Sequence, residues 1–531
     1  MPSDRDLLMG LDLSTQGLKA VVIDADLSTV YEETVNFDAD LPEFGTEGGA
    51  VKHPDGFTVT SPAVMWVAAF DILLERMKKD AVDLPRIRAV SGSGQQHGSV
   101  WLKNGALDIL RNLNPASNLR DQMEDAFSIK DSPIWMDAST TEECRKLEES
   151  LGGPQALADL TGSRAYERFT GNQIAKIYRR NPEAYETTER IALVSSFAAS
   201  LLTGDYAPID SSDGSGMNLM DLRARTWSQE ALKVTAPDLE ARLGEIVPGH
   251  TVTGTLHSYY SKRYGFAEDC AVVAFSGDNP NSLAGLRLQE PGDLALSMGT
   301  SDTMFGSTRT PKPSGDEGHV FANPVDPDGY MVMIVRQNGS LTRERIRDAS
   351  ASGSWDRFSK ALSSTPPGNS GNIGFYLDEP EITPPTQNTG TFRYGPDGKP
   401  RDSFEDNVEV RAVVEQQMLS MRFHGGKTGL SPGALLATGG ASANRAIVRV
   451  IADVFGVPVS VGECPDSASL GAAYRAFHGW KCAKYGKFIP FAAALPGITG
   501  RSEVFRPDTG AHAVYTDMLK KYGELEETLV K

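Results

Sequence analysis

The sequence predicts an α/β protein built from two large domains, and three observations carry this. The chain has 531 residues, too many for one ordinary core. Apolar strand patterns alternate with helical ones, as in "CAVVAFSGDNPNSLAGL" (strand, loop, helix) and "ALLATGGASANRAIVRVIADVFGVPVSVG" (strand, glycine-rich turn, helix, strand). The strand–turn–strand unit "LLMGLDLSTQGLKAVVIDADL" at 7–27 has an echo at 291–310, "PGDLALSMGTSDTMFGSTRT".

In the first unit an apolar strand runs into Asp12, and a polar turn follows, Ser14-Thr15-Gln16-Gly17. A hairpin turn rich in Gly, Ser and Thr points several backbone N–H groups one way, and such a nest can bind phosphate oxygens. Either turn alone reads as an ordinary hairpin. Two of them, one per half of the chain, could grip a polyphosphate between two domains. Asp12, beside the first turn, could hold Mg²⁺ through its water shell, because Mg²⁺ keeps several waters and takes one or two carboxylates.

The next element, "SPAVMWVAAFDILLERM" at 61–77, reads as a helix with Ser61 as cap and Pro62 at its first position. Asp71 and Glu75 interrupt its apolar run, so it is a core helix and not a membrane span. The polar start "MPSDRD" runs straight into a strand, and no secretory signal is expected. A net charge of −18 without long Lys/Arg runs argues against a nucleic-acid or membrane surface. Any phosphate must then be held by local dipoles and a few cations. Cys144, Cys270, Cys464 and Cys482 form no CxxC pair, which fits a reducing cytoplasm and argues against a disulfide framework or a structural zinc.

Two nucleotide signatures fail on spacing. "SGSGQQHG" at 91–98 has His97 where a dinucleotide fingerprint needs its third small residue, and "GGKT" at 425–428 has Met421 where a phosphate loop needs glycine. In "AVVAFSGDNPNSLAGLRL", a buried strand ends at Gly277 and a helix follows. Asp278 or Asn279 can cap that helix, with Pro280 just inside. The cap is the favoured reading of this stretch in isolation; the functional reading is that Asp278 accepts the proton of a substrate hydroxyl attacking a γ-phosphorus. His97 lies in a glycine-rich turn between strands, and Arg168 in a stretch of mixed aromatics and cations. Spacing alone does not bring these residues together.

"GLDLSTQGLKAVVIDAD", "SGSGQQHGSVW", "SPIWMDAST", "GSRAYERFTGNQIAKIY", "SGDNPNSLAGL", "SMGTSDT" and "ATGGASANR" occur in order over residues 7–480. This set resembles the FGGY carbohydrate kinases, most closely the eukaryotic-type kinases of D-xylulose. The resemblance implies two actin-like (ribonuclease-H-like) ATPase domains, 1–288 and 289–531, with ATP and sugar in the cleft between them. It implies transfer of phosphate from ATP to D-xylulose in the cytoplasm, with Mg²⁺. Asp278 would be the base and, with Asn279, His97 and Arg168, would bind the sugar. Gly439, Gly440, Asn444 and Trp355 would meet the nucleoside. Ser14, Gly299 and Thr300 would meet the phosphates, and Asp12 the metal.

One departure stands out: many bacterial relatives have Met-His-Gly where this chain has Gln96-His97-Gly98. The Pro/Gly/Ser-rich stretch 363–401 reads as a long irregular segment of the second domain, solvent-facing and able to contain strands. The last fifty or so residues carry none of these motifs. The rival readings are a kinase of ribulose, glycerol or another ketose or polyol, an actin-like ATPase without a sugar acceptor, and a Rossmann dehydrogenase, which His97 disfavours.

Overall fold

A computed structural model describes residues 6–462, 466–495 and 503–530; Cys464 lies outside them. Two compact units result, and neither is one uninterrupted stretch. The first holds residues 1–289, 321–329 and 466–497, and the second holds 290–320, 330–465 and 498–531.

In the first unit Leu7–Leu13 (β1), Gly17–Ile23 (β2) and Thr29–Asn36 (β3) form an antiparallel meander. Ile87–Gly94 (β4) joins β1 in parallel, and Ala271–Val273 (β5) joins β4 in parallel. The central order is therefore β5-β4-β1-β2-β3. Every residue of β1 except Asp12 is buried, which explains its near-continuous apolar run. The Ser467–Tyr485 helix lies on β1 and β4, backbone against backbone. A Cβ on Gly10 would sit 2.0 Å from the Ser469 carbonyl oxygen. The same helix meets the Asp278–Gly285 helix as closely: a Cβ on Gly471 would sit 1.8 Å from the Asn281 carbonyl oxygen, and one on Gly285 2.0 Å from that of Ser467. Only residues without a side chain allow such approaches.

The second unit repeats this order strand for strand. Asp293–Met298 (β6), Asp302–Thr308 (β7) and Tyr330–Arg336 (β8) form the meander. Ala434–Thr438 (β9) and Val459–Val461 (β10) extend it in parallel, giving β8-β7-β6-β9-β10. Three antiparallel strands followed by two parallel ones, in both units, make the actin-like (ribonuclease-H-like) arrangement. The two glycine/hydroxyl turns occupy equivalent places, each closing the first hairpin of its sheet.

Two local expectations change. Ser61 does not cap its helix: the helix spans Ala63–Lys79, Pro62 holds the cap position, and the Ser61 hydroxyl donates to the Gly49 carbonyl at 2.9 Å. Asp71 on that helix accepts the N–H groups of Leu119 and Arg120, each at 2.8 Å, and among the described residues no helix is long and apolar enough to cross a membrane. The 363–401 stretch contains a hairpin, Ile373–Leu377 with Gly390–Tyr394, whose first strand is wholly buried. Phe375 stacks there on Tyr522 at 5.2 Å, so the flanking Pro/Gly density conceals a core strand.

Tyr522 belongs to the Thr509–Val530 helix near the C-terminus, which packs along the buried Asp406–Lys427 helix. Between them His424 pairs through Nδ1 with Glu317, and through Nε2 with Glu526 at 2.9 Å. Burial would push this imidazole down, but the two carboxylates outweigh it and push it up to about 9. A group raised above its ordinary value of 6.5 contributes stability that is complete below that value and is lost as pH rises through about 9. The unfolding temperature of the wild-type protein should therefore fall by several °C more between pH 7 and 9.5 than that of His424→Gln, as read by calorimetry. Equal losses in the two proteins would mean that the imidazolium is not what binds the helix pair.

Candidate active site

Asp12 is the penultimate residue of β1, opposite Lys19 of β2 and Ser93 of β4. The Ser93 hydroxyl donates to its Oδ1 at 2.6 Å. Burial pushes the Asp12 carboxyl up to about 7, and the carboxylates of Asp278 and Asp466 push the same way, against Ser93 and Lys19. The turn that follows is closed by the Ser14 N–H on the Gly17 carbonyl at 3.0 Å. The Ser14 hydroxyl shares that acceptor at 3.2 Å. Trp135, 44 % exposed, donates its indole N–H to the Thr15 hydroxyl at 2.8 Å.

Asp278 begins the Asp278–Gly285 helix, with Gly277 and not Asp278 or Asn279 in the cap position. Its Oδ1 accepts the Asn279 N–H at 2.8 Å and the Asn279 side-chain amide at 3.1 Å. That amide also donates to Gln96 Oε1 at 2.9 Å, so Asn279 has only its Oδ1, an acceptor, left to offer a ligand. Burial pushes the Asp278 carboxyl up to about 6, while the N–H groups of Asn279 and Gln96 draw it down.

His97 follows Gln96 directly. It has φ +68°, and there the chain leaves β4 for Ser99–Lys103, a strand of another sheet. Its ring stacks on Phe169 at 4.4 Å, and Nδ1 meets the Gly216 carbonyl at 2.9 Å. Burial, with the Arg168 cation beside it, pushes the imidazole down to about 3. His97 is therefore neutral, donates through Nδ1 and keeps a lone pair on Nε2. Arg168 lies 5.2 Å from the Tyr166 ring. The fold thus gathers Asp278, Asn279, His97 and Arg168 from three separate stretches of sequence.

Asp213 and Trp135 escape sequence reasoning. Asp213 is 2 % exposed, takes a hydrogen bond from Ser195, and has no partner for Oδ1 among the described residues. Burial pushes it up to about 8, and Asp210 and Asp278 add to this. No local motif marks it; only its place beneath Gly277, where a Cβ would meet its Oδ1 at 2.8 Å, reveals it. Trp135 lies in "SPIWMDAST", but no spacing rule ties it to Thr15.

The second unit holds a cavity of about 1010 Å³ lined by Gly299, Trp355, Gly440, Asn444, Arg445 and Phe505 among others. Trp355 is 38 % exposed, so it is not a core residue; the Arg347 guanidinium lies 4.8 Å from its ring centroid and Phe358 meets its edge. Gly439 has φ +80°, and a Cβ there would strike the Met298 carbonyl at 2.6 Å. Asn444 caps the Arg445–Phe455 helix through Oδ1 and donates its amide to Ser359 at 2.9 Å. Thr300 is exposed at the tip of the β6–β7 hairpin.

The FGGY carbohydrate kinase N-terminal domain matches residues 124–285, and the C-terminal domain matches 294–480. A xylulose kinase of Mus musculus is 52 % identical over 529 residues, covering 99 % of this chain and 95 % of the relative. Xylulose kinase 2 of Arabidopsis thaliana is 47 % identical over 551 residues, covering 100 % and 98 %. The solved structure of a xylulose kinase from Rhodospirillum rubrum superposes with a TM-score of 0.80 at 17 % identity, over 98 % of each chain, a likeness of fold. Two matching domains and near-full-length relatives agree with the repeated sheets and the clustered polar residues: the chain belongs to the FGGY family of carbohydrate kinases.

Proposed function

We propose that this protein phosphorylates D-xylulose with ATP, giving D-xylulose 5-phosphate and ADP, in the cytoplasm. The near-full-length likeness to proteins named xylulose kinase carries this reading. The buried free thiols Cys144, Cys270 and Cys482 accord with a reducing compartment.

Asp278 acts as the base. Its carboxyl, raised to about 6, is ionised at neutral pH yet close enough to that pH to take a proton as the hydroxyl oxygen attacks. Phosphoryl transfer is largely dissociative, so this carboxylate chiefly orients the hydroxyl and receives its proton late. The Asn279 and Gln96 N–H groups fix its direction. Asn279 Oδ1 offers an acceptor to a sugar hydroxyl, the neutral His97 a ring nitrogen, and Arg168 a cationic donor for hydroxyl or carbonyl oxygens.

In the second unit the Gly439–Gly440 turn and Trp355 receive the nucleoside, and Gly299 and Thr300 the phosphates. Asn444 supports the turn as a helix cap more than as a direct contact, since both ends of its amide are engaged. Ser14 contributes to the phosphate nest chiefly through its backbone, because its hydroxyl is already bonded to Gly17. A Mg²⁺ ion fits the donor chemistry around Asp12: a carboxylate oxygen, raised by burial and by the charges of Asp278 and Asp466, with Lys19 as the opposing cation. Asp12 would hold it, and when bound it would neutralise charge on the triphosphate.

An assay of ADP release with and without D-xylulose tests the whole reading; release indifferent to D-xylulose, or a clear preference for another sugar in a panel, would sink it. Asp278→Asn should lower turnover at least ~10²-fold while sugar and ATP affinities stay within about tenfold. Near-normal turnover would leave Asp278 a helix start and nothing more. The rate in the wild type should fall as pH drops through about 6, where Asp278 takes a proton; a flat profile to pH 5 would contradict its role. A Cβ on Gly440 meets nothing within 4 Å, whereas one on Gly439 meets Met298. Gly440→Ala should therefore keep the unfolding temperature and weaken ADP binding several-fold, and Gly439→Ala should destabilise. Calorimetric titration and thermal unfolding distinguish the two.

A further inference from the structure

The β6–β7 hairpin is held by a ring of polar contacts. Asp302, the first residue of β7, is fully buried, and so is its partner Arg343 on the Ser340–Ser350 helix. The Arg343 fork grips both carboxylate oxygens, Nη1 on Oδ2 at 2.6 Å and Nη2 on Oδ1 at 2.9 Å. Nη1 also donates to Gln417 Oε1 at 2.7 Å. The Gln417 amide then donates to the carbonyls of Asn338 and Gly339, at 2.9 and 3.1 Å, just ahead of the helix. The helix returns to the hairpin tip, where the Ser340 N–H meets the Gly299 carbonyl at 2.9 Å. A Cβ on Gly339 would strike the Thr300 carbonyl at 2.5 Å, so the contact leaves no room for a side chain.

Two consequences follow. The first is geometric: the base and the tip of the hairpin are tied to one helix, which fixes where the turn's N–H groups point. The second is electrostatic. A buried carboxylate three residues from Gly299 would repel a phosphate held there; a bidentate guanidinium cancels its charge in place. Met298, Gly299, Ser340 and Arg343 all line the cavity that Trp355 and Asn444 line. We infer that Arg343, through Asp302, is a positioning residue for nucleotide phosphate: the pair sets the direction and the local neutrality of the second hairpin. This rests on the reading of the cavity as the ATP site.

The test compares the two substrates in Arg343→Lys, which keeps a cation but loses the fork, and in Asp302→Asn. The KM for ATP and the calorimetric Kd for ADP should both rise at least ~10-fold, while the KM for D-xylulose stays within about twofold. If the single variants do not fold, Asp302→Asn/Arg343→Gln, which removes both charges together, supplies the folded protein, with the same split between substrates expected. Unchanged ATP and ADP constants in any folded variant would overturn the inference, as would parallel rises for both substrates. Failure of the wild-type protein to bind ADP would instead overturn the assignment of the cavity.

Discussion

The carboxylates Asp12 and Asp278 of the first unit depend on one constraint, the contact of the Ser467–Tyr485 helix with β1 and with the Asp278–Gly285 helix. At Gly10, Gly285 and Gly471 the backbones meet where a Cβ would collide. Asp12 stands two residues beyond Gly10, and Asp278 opens the helix that ends in Gly285. One rigid helix therefore indexes both carboxylates. Arg475 on the same helix adds a polar lock, donating to Asn281 at 2.9 Å, the Gly249 carbonyl at 3.0 Å and Asp210 at 3.1 Å. A buried arginine with three acceptors is costly to desolvate and costly to disrupt, so its value lies in holding one arrangement.

Charge is concentrated around this frame. Asp12, Asp278 and Asp213 are each raised by burial first, and each feels another carboxylate or its own desolvation more than any cation. In a chain of net charge −18 no long-range field draws a phosphate inward. On the proposed function, attraction would come from short-range donors such as the turn amides, Lys19 and Arg168. The Asp302–Arg343 pair follows the same logic in the second unit, where a carboxylate close to the Gly299-Thr300 turn carries its own counter-charge.

Much of this was legible in one dimension because it is local. A strand ending in Asp12 before a Ser-Thr-Gln-Gly turn, and its echo at Gly299-Thr300, need only a few residues each to be read. The Asp278 stretch is likewise strand, glycine, carboxylate, helix. What stayed hidden depends on distant partners. Asp213 looks like any loop aspartate until Ser195 and Gly277 close over it. Glycines at 285 and 471 weaken a helix on propensity alone; their purpose exists only once the two helices cross. Ser61 beside Pro62 matches a cap pattern, yet its hydroxyl donates to the Gly49 carbonyl. The core strand Ile373–Leu377 was masked by its Pro- and Gly-rich flanks, and the final helix by the absence of any motif.

The return of residues 466–497 to the first unit bears on how the chain can be divided. A polypeptide stopped at Gln289 would possess all five central strands of the first sheet but would lack the helix that covers β1 and β4, baring apolar surface and leaving Asp210 without its guanidinium. During synthesis the N-terminal half must wait, incomplete, for nearly two hundred further residues to emerge before that surface can be sealed. Neither half is a self-sufficient module, and maturation of the first is obligatorily coupled to translation through the second.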